Sequence, residues 1–190
     1  MLEHDIKNIE FYKEQFIFEY ERSKFYDTII QYPTTLIVIF IGGVLYSFNR
    51  YFTSGVPNFL TTSDWIFIIT LSLFFLSTII TIYFLYTVFH GFTRKYYYLP
   101  HLSSLANYEK KLFKYHYKYS VGTSKEDKFS EAKDNTCVSF SNNLKTYYIE
   151  LTEANQRIND KRADNYYLTR TFLFFDLILF VIIALIGFLK

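Results

Sequence analysis

The sequence predicts an all-α integral membrane protein with three transmembrane helices and a cytoplasmic helical layer. The 190-residue chain is 20% charged, yet three long stretches carry almost no charge. Residues 28–49 and 65–93 contain no Asp, Glu, Lys or Arg, and residues 171–189 contain only Asp176. Each stretch matches the roughly 20 apolar residues that a helix needs to cross about 30 Å of hydrocarbon.

Glycine and proline, which interrupt helices, are rare enough to favour long helices. Pro33 lies where proline is favoured, at a helix start or a kink. Residues 54–58 (Ser-Gly-Val-Pro-Asn) predict the turn between the first two spans. Residues 122–135 are the most loop-like part of the polar region. From Ser141 neither glycine nor proline occurs until Gly187, so we expect one helix that enters the membrane without a break.

These features divide the chain into four segments. Residues 1–33 are predicted to form an N-terminal cytoplasmic amphipathic helix, and residues 34–92 a two-helix transmembrane hairpin. Residues 93–166 form a cytoplasmic helical region, and residues 167–190 the third transmembrane helix. The first segment is net acidic, whereas the third has 13 Lys and Arg against nine Asp and Glu. We therefore expect these two segments to dock on each other.

The basic residues indicate the orientation, because loops rich in Lys and Arg stay in the cytoplasm. Arg50 alone lies between the first two spans, and Lys190 alone follows the third, whereas several bases flank the other span ends. The N-terminus and residues 93–166 are thus predicted to be cytoplasmic, and the C-terminus to lie outside. The charged N-terminus does not look like a cleavable signal peptide. The single cysteine, Cys137, allows no disulfide within one chain.

Asp176 is the sharpest functional signal, because it lies about nine residues into the third span, where an acid is costly. It is either part of a carboxylate ring or gating contact in an oligomeric pore, or a satisfied buried acid that is bonded to Tyr or Thr of a neighbouring span or is protonated. Thr70, Ser77 and Thr81 form a polar stripe on the second span, with spacing i, i+7 and i+11. This stripe either lines a polar path or bonds to neighbouring helices.

Two glycines, Gly42 and Gly43, lie next to each other in the first span. Small residues let helices approach closely in lipid. The pair is therefore either a packing or oligomer contact, or a simple kink site.

Four lysines, Lys110, Lys111, Lys114 and Lys118, occupy nearly one face of a predicted helix and alternate with aromatic residues. They are candidates for contact with an anionic ligand, such as a nucleotide phosphate or an RNA backbone. The alternatives are that they rest on anionic lipid or pair with the acidic N-terminal helix.

The sequence predicts neither an enzyme nor a metal or cofactor site. The four histidines lack zinc-ligand spacing, and there is no second cysteine to help them. Phosphate-binding glycine loops, a nucleophile elbow and paired catalytic carboxylates are absent from the sequence. The net charge of +2 does not favour a nucleic-acid partner.

Three parts of the chain resemble a known group of proteins. They are residues 11–16 with 19–22, residues 90–92 with 96–100, and residues 153–155 with 164–166. Their layout is similar to that of small bacterial multi-span membrane proteins encoded in anti-phage defence loci, of the cyclic-oligonucleotide or CRISPR-associated accessory and effector type. The resemblance implies location in the bacterial inner membrane and an effector that permeabilises or depolarises it.

The expected function is accordingly that of a membrane effector that responds to a cytoplasmic signal, supplied by a protein or a nucleotide. Three spans are too few to enclose a channel, so a pore requires a homo-oligomer within the lipid bilayer. The alternative is a non-conducting, membrane-anchored accessory protein that recruits or regulates a cytoplasmic partner.

Overall fold

The computed structural model describes residues 2–53, 61–93 and 96–189, with side chains described from Ile9 onward except at 91–93. These ranges are helical apart from short connections. The helices are α1 (Leu2–Ile29), α2 (Gln31–Thr53), α3 (Thr62–Thr93), α4 (Leu102–Tyr119) and α5 (Lys125–Leu189). The all-α prediction is thus confirmed for the described residues, whereas the turn predicted at 54–58 lies outside them.

Three helical stretches in these ranges are long and apolar enough to cross a membrane. They lie within Ile9–Thr53, Thr62–His90 and Lys125–Leu189, and each overlaps one of the three predicted spans. Only 22%, 33% and 22% of the residues in their most apolar windows are buried inside the chain. The exposed remainder is an apolar surface of the kind that marks contact with lipid or with another protein.

The described chain forms two compact units, and α1 and α5 contribute to both. The polar unit consists of Met1–Arg22 and Tyr96–Arg157. The apolar unit consists of Ser23–Lys95 and Ile158–Lys190. The polar unit thus groups the acidic start of the chain with most of the basic segment that was expected to dock on it.

One contact between aromatic rings and one between a lysine and a ring hold the acidic start of α1 within the polar unit. The ring of Phe16 lies 5.8 Å from that of Tyr148 on α5, and the Lys145 ammonium lies 5.2 Å from the centre of the Tyr12 ring. The extended residues before α4 are held by Asn155, whose side chain accepts from the Tyr97 N–H at 3.0 Å and donates to the Tyr97 carbonyl at 3.1 Å. These contacts, rather than net charge alone, therefore specify the docking.

Large aromatic and branched side chains from α2, α3 and α5 form the core of the apolar unit. Tyr51 stacks on Phe67 with ring centroids 4.1 Å apart, and Phe84 stacks on Phe172 at 5.8 Å. The buried members of the core are Ile37, Phe40, Val44, Tyr51, Phe67, Phe74, Leu173 and Ile183. Their close packing fixes the register of the three helices against one another.

A buried carboxylate, Asp64, ties the end of α2 to the start of α3. Thr61 donates to one of its oxygens from both its N–H and its hydroxyl, each at 2.7 Å, and the Asp64 N–H donates back to the Thr61 hydroxyl at 3.3 Å. The hydroxyl of Tyr51 donates to the other carboxylate oxygen. This reciprocal cap satisfies the N–H groups at the start of α3 that the helix itself leaves open.

Pro33 lies in the first turn of α2, close behind the end of α1 at Ile29. This position confirms the prediction of a helix start, because the first turn of a helix has no internal acceptor for the N–H that proline lacks.

The structure corrects the prediction of a loop at 122–135, because α5 already begins at Lys125. Ser124 caps the helix: the Asp127 N–H donates to its hydroxyl at 3.0 Å, and its own N–H donates to the Asp127 carboxylate at 3.2 Å. The Thr123 hydroxyl also donates to Asp127, at 3.2 Å. The prediction of one unbroken helix into the last apolar stretch is confirmed, with an earlier start than expected.

Candidate functional site

Asp176 lies within the apolar part of α5 and is 1% exposed. One of its carboxylate oxygens accepts a hydrogen bond from the Thr81 hydroxyl of α3 at 2.9 Å. The same hydroxyl lies 3.0 Å from the Ser77 carbonyl one turn earlier in α3. A hydroxyl has a single proton, so Thr81 divides its donation between these two acceptors.

Three further polar atoms beside this bond are buried and have no hydrogen-bond partner among the described residues. They are the second carboxylate oxygen of Asp176 and the hydroxyls of Ser77 and Thr78. Both hydroxyls lie near enough to the carboxyl group to interact with it electrostatically. The result is a buried polar cluster, formed by Ser77, Thr78, Thr81 and Asp176, whose capacity for hydrogen bonds is only partly used.

The predicted polar stripe is divided by the structure. Ser77 and Thr81 belong to the buried polar cluster, whereas Thr70 is buried elsewhere along α3 and donates to the Ile66 carbonyl at 2.8 Å. Thr78, which is 4% exposed, was not predicted from the sequence. The available signal was helical spacing, because Ser77, Thr78 and Thr81 fall within one turn of helix.

Gly42 and Gly43 lie on different faces of α2, so a Cβ atom would have different surroundings at each. A Cβ atom at Gly43 would overlap the ring of Phe180 on α5, whereas a Cβ at Gly42 would meet nothing within 4 Å. A second close approach that the sequence analysis missed occurs at Gly187, where a Cβ would lie 3.2 Å from the Ser47 carbonyl oxygen. Gly43 and Gly187 therefore permit close packing of α2 on α5, and Gly42 is open to a partner outside this chain.

Arg162 is a second buried ionisable residue on α5, and it was not distinguished from the other bases on sequence grounds. It is 1% exposed. Its guanidinium donates to the Val88 carbonyl of α3 at 3.1 Å, and to the Ser23 carbonyl and the Asp27 carboxylate of α1 at 3.3 and 2.5 Å. It also lies 5.3 Å from the centre of the Tyr26 ring. Arg162 thus joins three helices through one planar group.

Spacing along α5 could have identified both buried charges. Positions at alternating intervals of three and four residues form one helix face, as in a heptad repeat. The buried residues at these intervals are Asn159, Arg162, Thr169, Leu173, Asp176, Ile183 and Gly187. A search for apolar periodicity overlooks this face because several of its members are polar.

The predicted lysine face of α4 is divided as well. Lys110 and Lys114 line a groove of about 570 Å³ between α4 and α5, and Lys133 of α5 joins them from the other wall. Lys111 and Lys118 do not line it, and the Lys118 ammonium lies 5.4 Å from the centre of its neighbour's ring, Tyr119. The other lining residues are Glu109, Phe113, Thr136, Cys137, Phe140 and Ser141.

No group of three or more His, Cys, Asp or Glu side chains that could hold a metal ion occurs in the described ranges. Comparison with known proteins gives no match to a family model, a curated protein or a solved structure.

Proposed function

We propose that the protein is an oligomeric membrane effector that permeabilises or depolarises the bacterial inner membrane in response to a cytoplasmic signal. In this proposal α2, α3 and the last part of α5 are the transmembrane helices, and the polar unit is the cytoplasmic layer. The distribution of Lys and Arg supports a cytoplasmic N-terminus and a C-terminus outside. The setting in anti-phage defence rests on the sequence resemblance alone.

The buried polar cluster around Asp176 is the observation that carries the proposal. An ionisable residue within a membrane span is costly and usually faces other helices or water. Each buried polar atom without a partner costs a further 1–3 kcal/mol, roughly. A protein that uses this helix only as a membrane anchor would be equally stable or more stable with leucine in place of the acid. In a second state where water reaches these groups, the polar atoms would regain hydrogen bonds and the free-energy cost of burying them would disappear. A conducting assembly provides such a state.

Assembly of several copies is part of the proposal, because three helices that pack on a shared core leave no lumen between them. The outward faces of these helices carry exposed large apolar side chains, which include Val38, Ile69, Leu76 and Phe174. These side chains suit lipid or a second copy rather than water. Gly42 adds an open position on α2 where another helix would find no side chain in its way.

The experiment is to express the protein in a bacterial host and to follow the membrane potential with a voltage-sensitive dye. Purified protein in dye-loaded liposomes gives the second readout. We expect depolarisation and dye release by the wild type at high protein density, and their loss in Asp176→Leu. Ser77→Ala, within the cluster, should reduce both signals. The matched control is Ser72→Ala on the same helix, where the serine is exposed and bonds only to its own helix, at the Ile68 carbonyl.

The mass of the purified assembly in nanodiscs complements this experiment. A closed assembly of several chains with activity that depends on Asp176 supports the proposal. Asp176→Leu that depolarises the host as strongly as wild type, at equal protein level, would refute the role of the acid. A monomer that remains silent at every protein density would refute the effector itself.

The second candidate is a non-conducting accessory protein that recruits or regulates a cytoplasmic partner. It is favoured by exposed aromatic side chains in the polar unit, which include Tyr97, Tyr98, Tyr115 and Tyr119. Aromatic residues at that density on a polar surface are typical of protein contacts. In this case Asp176 serves only to join α3 and α5, and a soluble partner should co-purify in a fixed ratio from the native host with the Asp176→Leu variant as well.

A further inference from the structure

We propose that the groove between α4 and α5 in the polar unit binds a small soluble organic phosphate, such as a nucleotide. The three lysines hold its phosphates, and the rings of Phe113 and Phe140 lie beside its flat, apolar part. This site does not depend on the proposed membrane activity, because it is defined by the polar unit alone.

The charges of the groove favour an anion. Lys110, Lys114 and Lys133 face one acidic residue, Glu109, and no ion pair joins any of the four within the described residues. All three lysines are exposed and therefore accessible to a ligand, whereas the buried Arg162 is paired with Asp27. Three ammonium groups beside a single carboxylate leave the groove with an excess of positive charge, which a ligand with several negative oxygens neutralises.

The two walls of the groove contribute from different helices. Lys110 and Lys114 are one helical turn apart on α4, so their ammonium groups reach the same side. Lys133 approaches from α5. The pair on α4 alone would be an ordinary exposed charged face, and the third lysine turns that face into a concave site that can surround a phosphate.

The apolar lining favours an organic ligand over a bare inorganic ion. Phe113 and Phe140 are half-buried, and each is supported by a neighbouring ring, Phe129 at 5.2 Å and Tyr108 at 6.4 Å respectively. Small-molecule sites usually measure about 300–1,000 Å³ and combine such apolar walls with a few polar groups. The volume of about 570 Å³ and the serine and threonine hydroxyls of the lining fit that description.

The only cysteine of the chain, Cys137, lines the same groove and is exposed. It therefore reports directly on occupancy. The full-length protein in detergent is treated with the neutral reagent N-ethylmaleimide, and the modified fraction is followed by mass spectrometry. The probes are ATP without added magnesium, inorganic tripolyphosphate, adenosine, and vesicles of phosphatidylglycerol.

We expect ATP to slow the modification of Cys137, by about tenfold at ten times its dissociation constant, because only free sites then react. Tripolyphosphate should protect more weakly, and adenosine should not protect at the same concentration. Lys110→Gln, Lys114→Gln and Lys133→Gln should each weaken protection by ATP. Lys111→Gln and Lys118→Gln, with the same loss of charge on α4 outside the groove, should leave it unchanged.

Four results would overturn the inference. One is the absence of protection by both ATP and tripolyphosphate at millimolar concentrations. The second is equal protection by adenosine, which would mean that charge is irrelevant. Protection that persists in the triple Lys→Gln variant would place the ligand elsewhere. Protection by the lipid vesicles alone would identify the groove as a lipid headgroup site. None of these results bears on conduction, so the two proposals fail separately.

Discussion

Two buried ionisable side chains on the same face of α5, Arg162 and Asp176, have very different sets of hydrogen-bond partners. They lie about four helical turns apart, and each is 1% exposed. Arg162 donates to two backbone carbonyls and to the Asp27 carboxylate. Asp176 accepts one hydrogen bond, from a hydroxyl that it shares with the Ser77 carbonyl, and its other oxygen has no partner.

The difference separates a charge that stabilises this conformation from one that does not. Removing a charge with several partners leaves all of them unpaired, whereas replacing a poorly paired charge by an apolar group removes a cost. Burial alone therefore does not show what a charge contributes. The number of hydrogen-bond partners shows it. By that measure Arg162 stabilises the observed conformation, whereas Asp176 is available for interactions in another state.

The largest expected effect follows from Arg162→Met, which should lower the free energy of unfolding by about 3–5 kcal/mol, because the Asp27 carboxylate and two buried carbonyls lose their donor. The measurement is thermal unfolding in detergent. Lys161→Met, at the exposed neighbour, is the matched control and should change stability little. Equal melting temperatures for the two variants would remove the distinction between the two charges.

Asp176→Leu should act in the opposite direction in the same assay. Thr81 keeps its bond to the Ser77 carbonyl, and a poorly paired polar group leaves the interior. We expect the variant to be as stable as wild type, or more stable by about 1–4 kcal/mol. The stability of Asp176→Asn should lie between those of wild type and Asp176→Leu, since the asparagine retains an acceptor for Thr81. If Asp176→Leu destabilises the protein as strongly as Arg162→Met, the acid is structural and the comparison fails.

The glycine pair tests how firmly the part of α5 that carries Asp176 is held. Gly43→Val should destabilise the protein by about 1–3 kcal/mol, because the added side chain overlaps Phe180, one turn beyond Asp176. Gly42→Val meets open space and should leave the unfolding of the single chain unchanged. If Gly42 serves an oligomer contact, its variant should instead reduce the mass of the assembly. Identical behaviour of the two variants would contradict the placement of Gly43 against α5.

The smallest expected effect concerns Asp127, whose carboxylate accepts several hydrogen bonds but lies at the exposed start of α5. Hydrogen bonds from Ser124, and from the Thr123 hydroxyl, lower its pKa below the ordinary value. Its contribution is therefore complete at neutral pH and is lost as the pH falls through that lowered pKa. The Lys128 N–H donates to the Ser124 carbonyl at 3.1 Å, and we expect its exchange to become faster relative to the intrinsic rate in strong acid, with the same loss of protection at neutral pH in Ser124→Ala. Exchange that is unaffected by either would show that the cap does not hold this turn.

The long apolar helices could be predicted because length and composition decide them locally. A stretch of about 20 residues without charge needs no knowledge of its neighbours to be helical in lipid. The start of α5 was misplaced although Ser124 and Asp127 have the spacing of a reciprocal cap, because the polar composition of the following residues is also that of a loop. The capping signal was therefore present in the sequence, but the loop-like composition of the following residues led to the wrong prediction.

The candidate sites were predicted only in part. Asp176 stood out because it interrupts an apolar stretch, and Lys110 and Lys114 because they share nearly one helix face with Lys111 and Lys118. Lys133 could not be assigned to them, since only the packing of α4 on α5 makes them neighbours. Arg162 was overlooked for the same reason, because its partners lie on α1 and α3, far from it in sequence.

The sequence by itself determined the helical class, the positions of three helices able to cross a membrane, and the presence of one acid within the last. It also supplied the orientation and the homo-oligomer as predictions, which await a test. The tertiary structure decided which polar groups meet. It formed the cluster at Asp176 with its incomplete hydrogen bonding, the full set of partners at Arg162, and the groove with three lysines. The physical reason is that hydrophobic length is a property of one segment, whereas the energy of a buried polar group depends on partners that other segments bring to it.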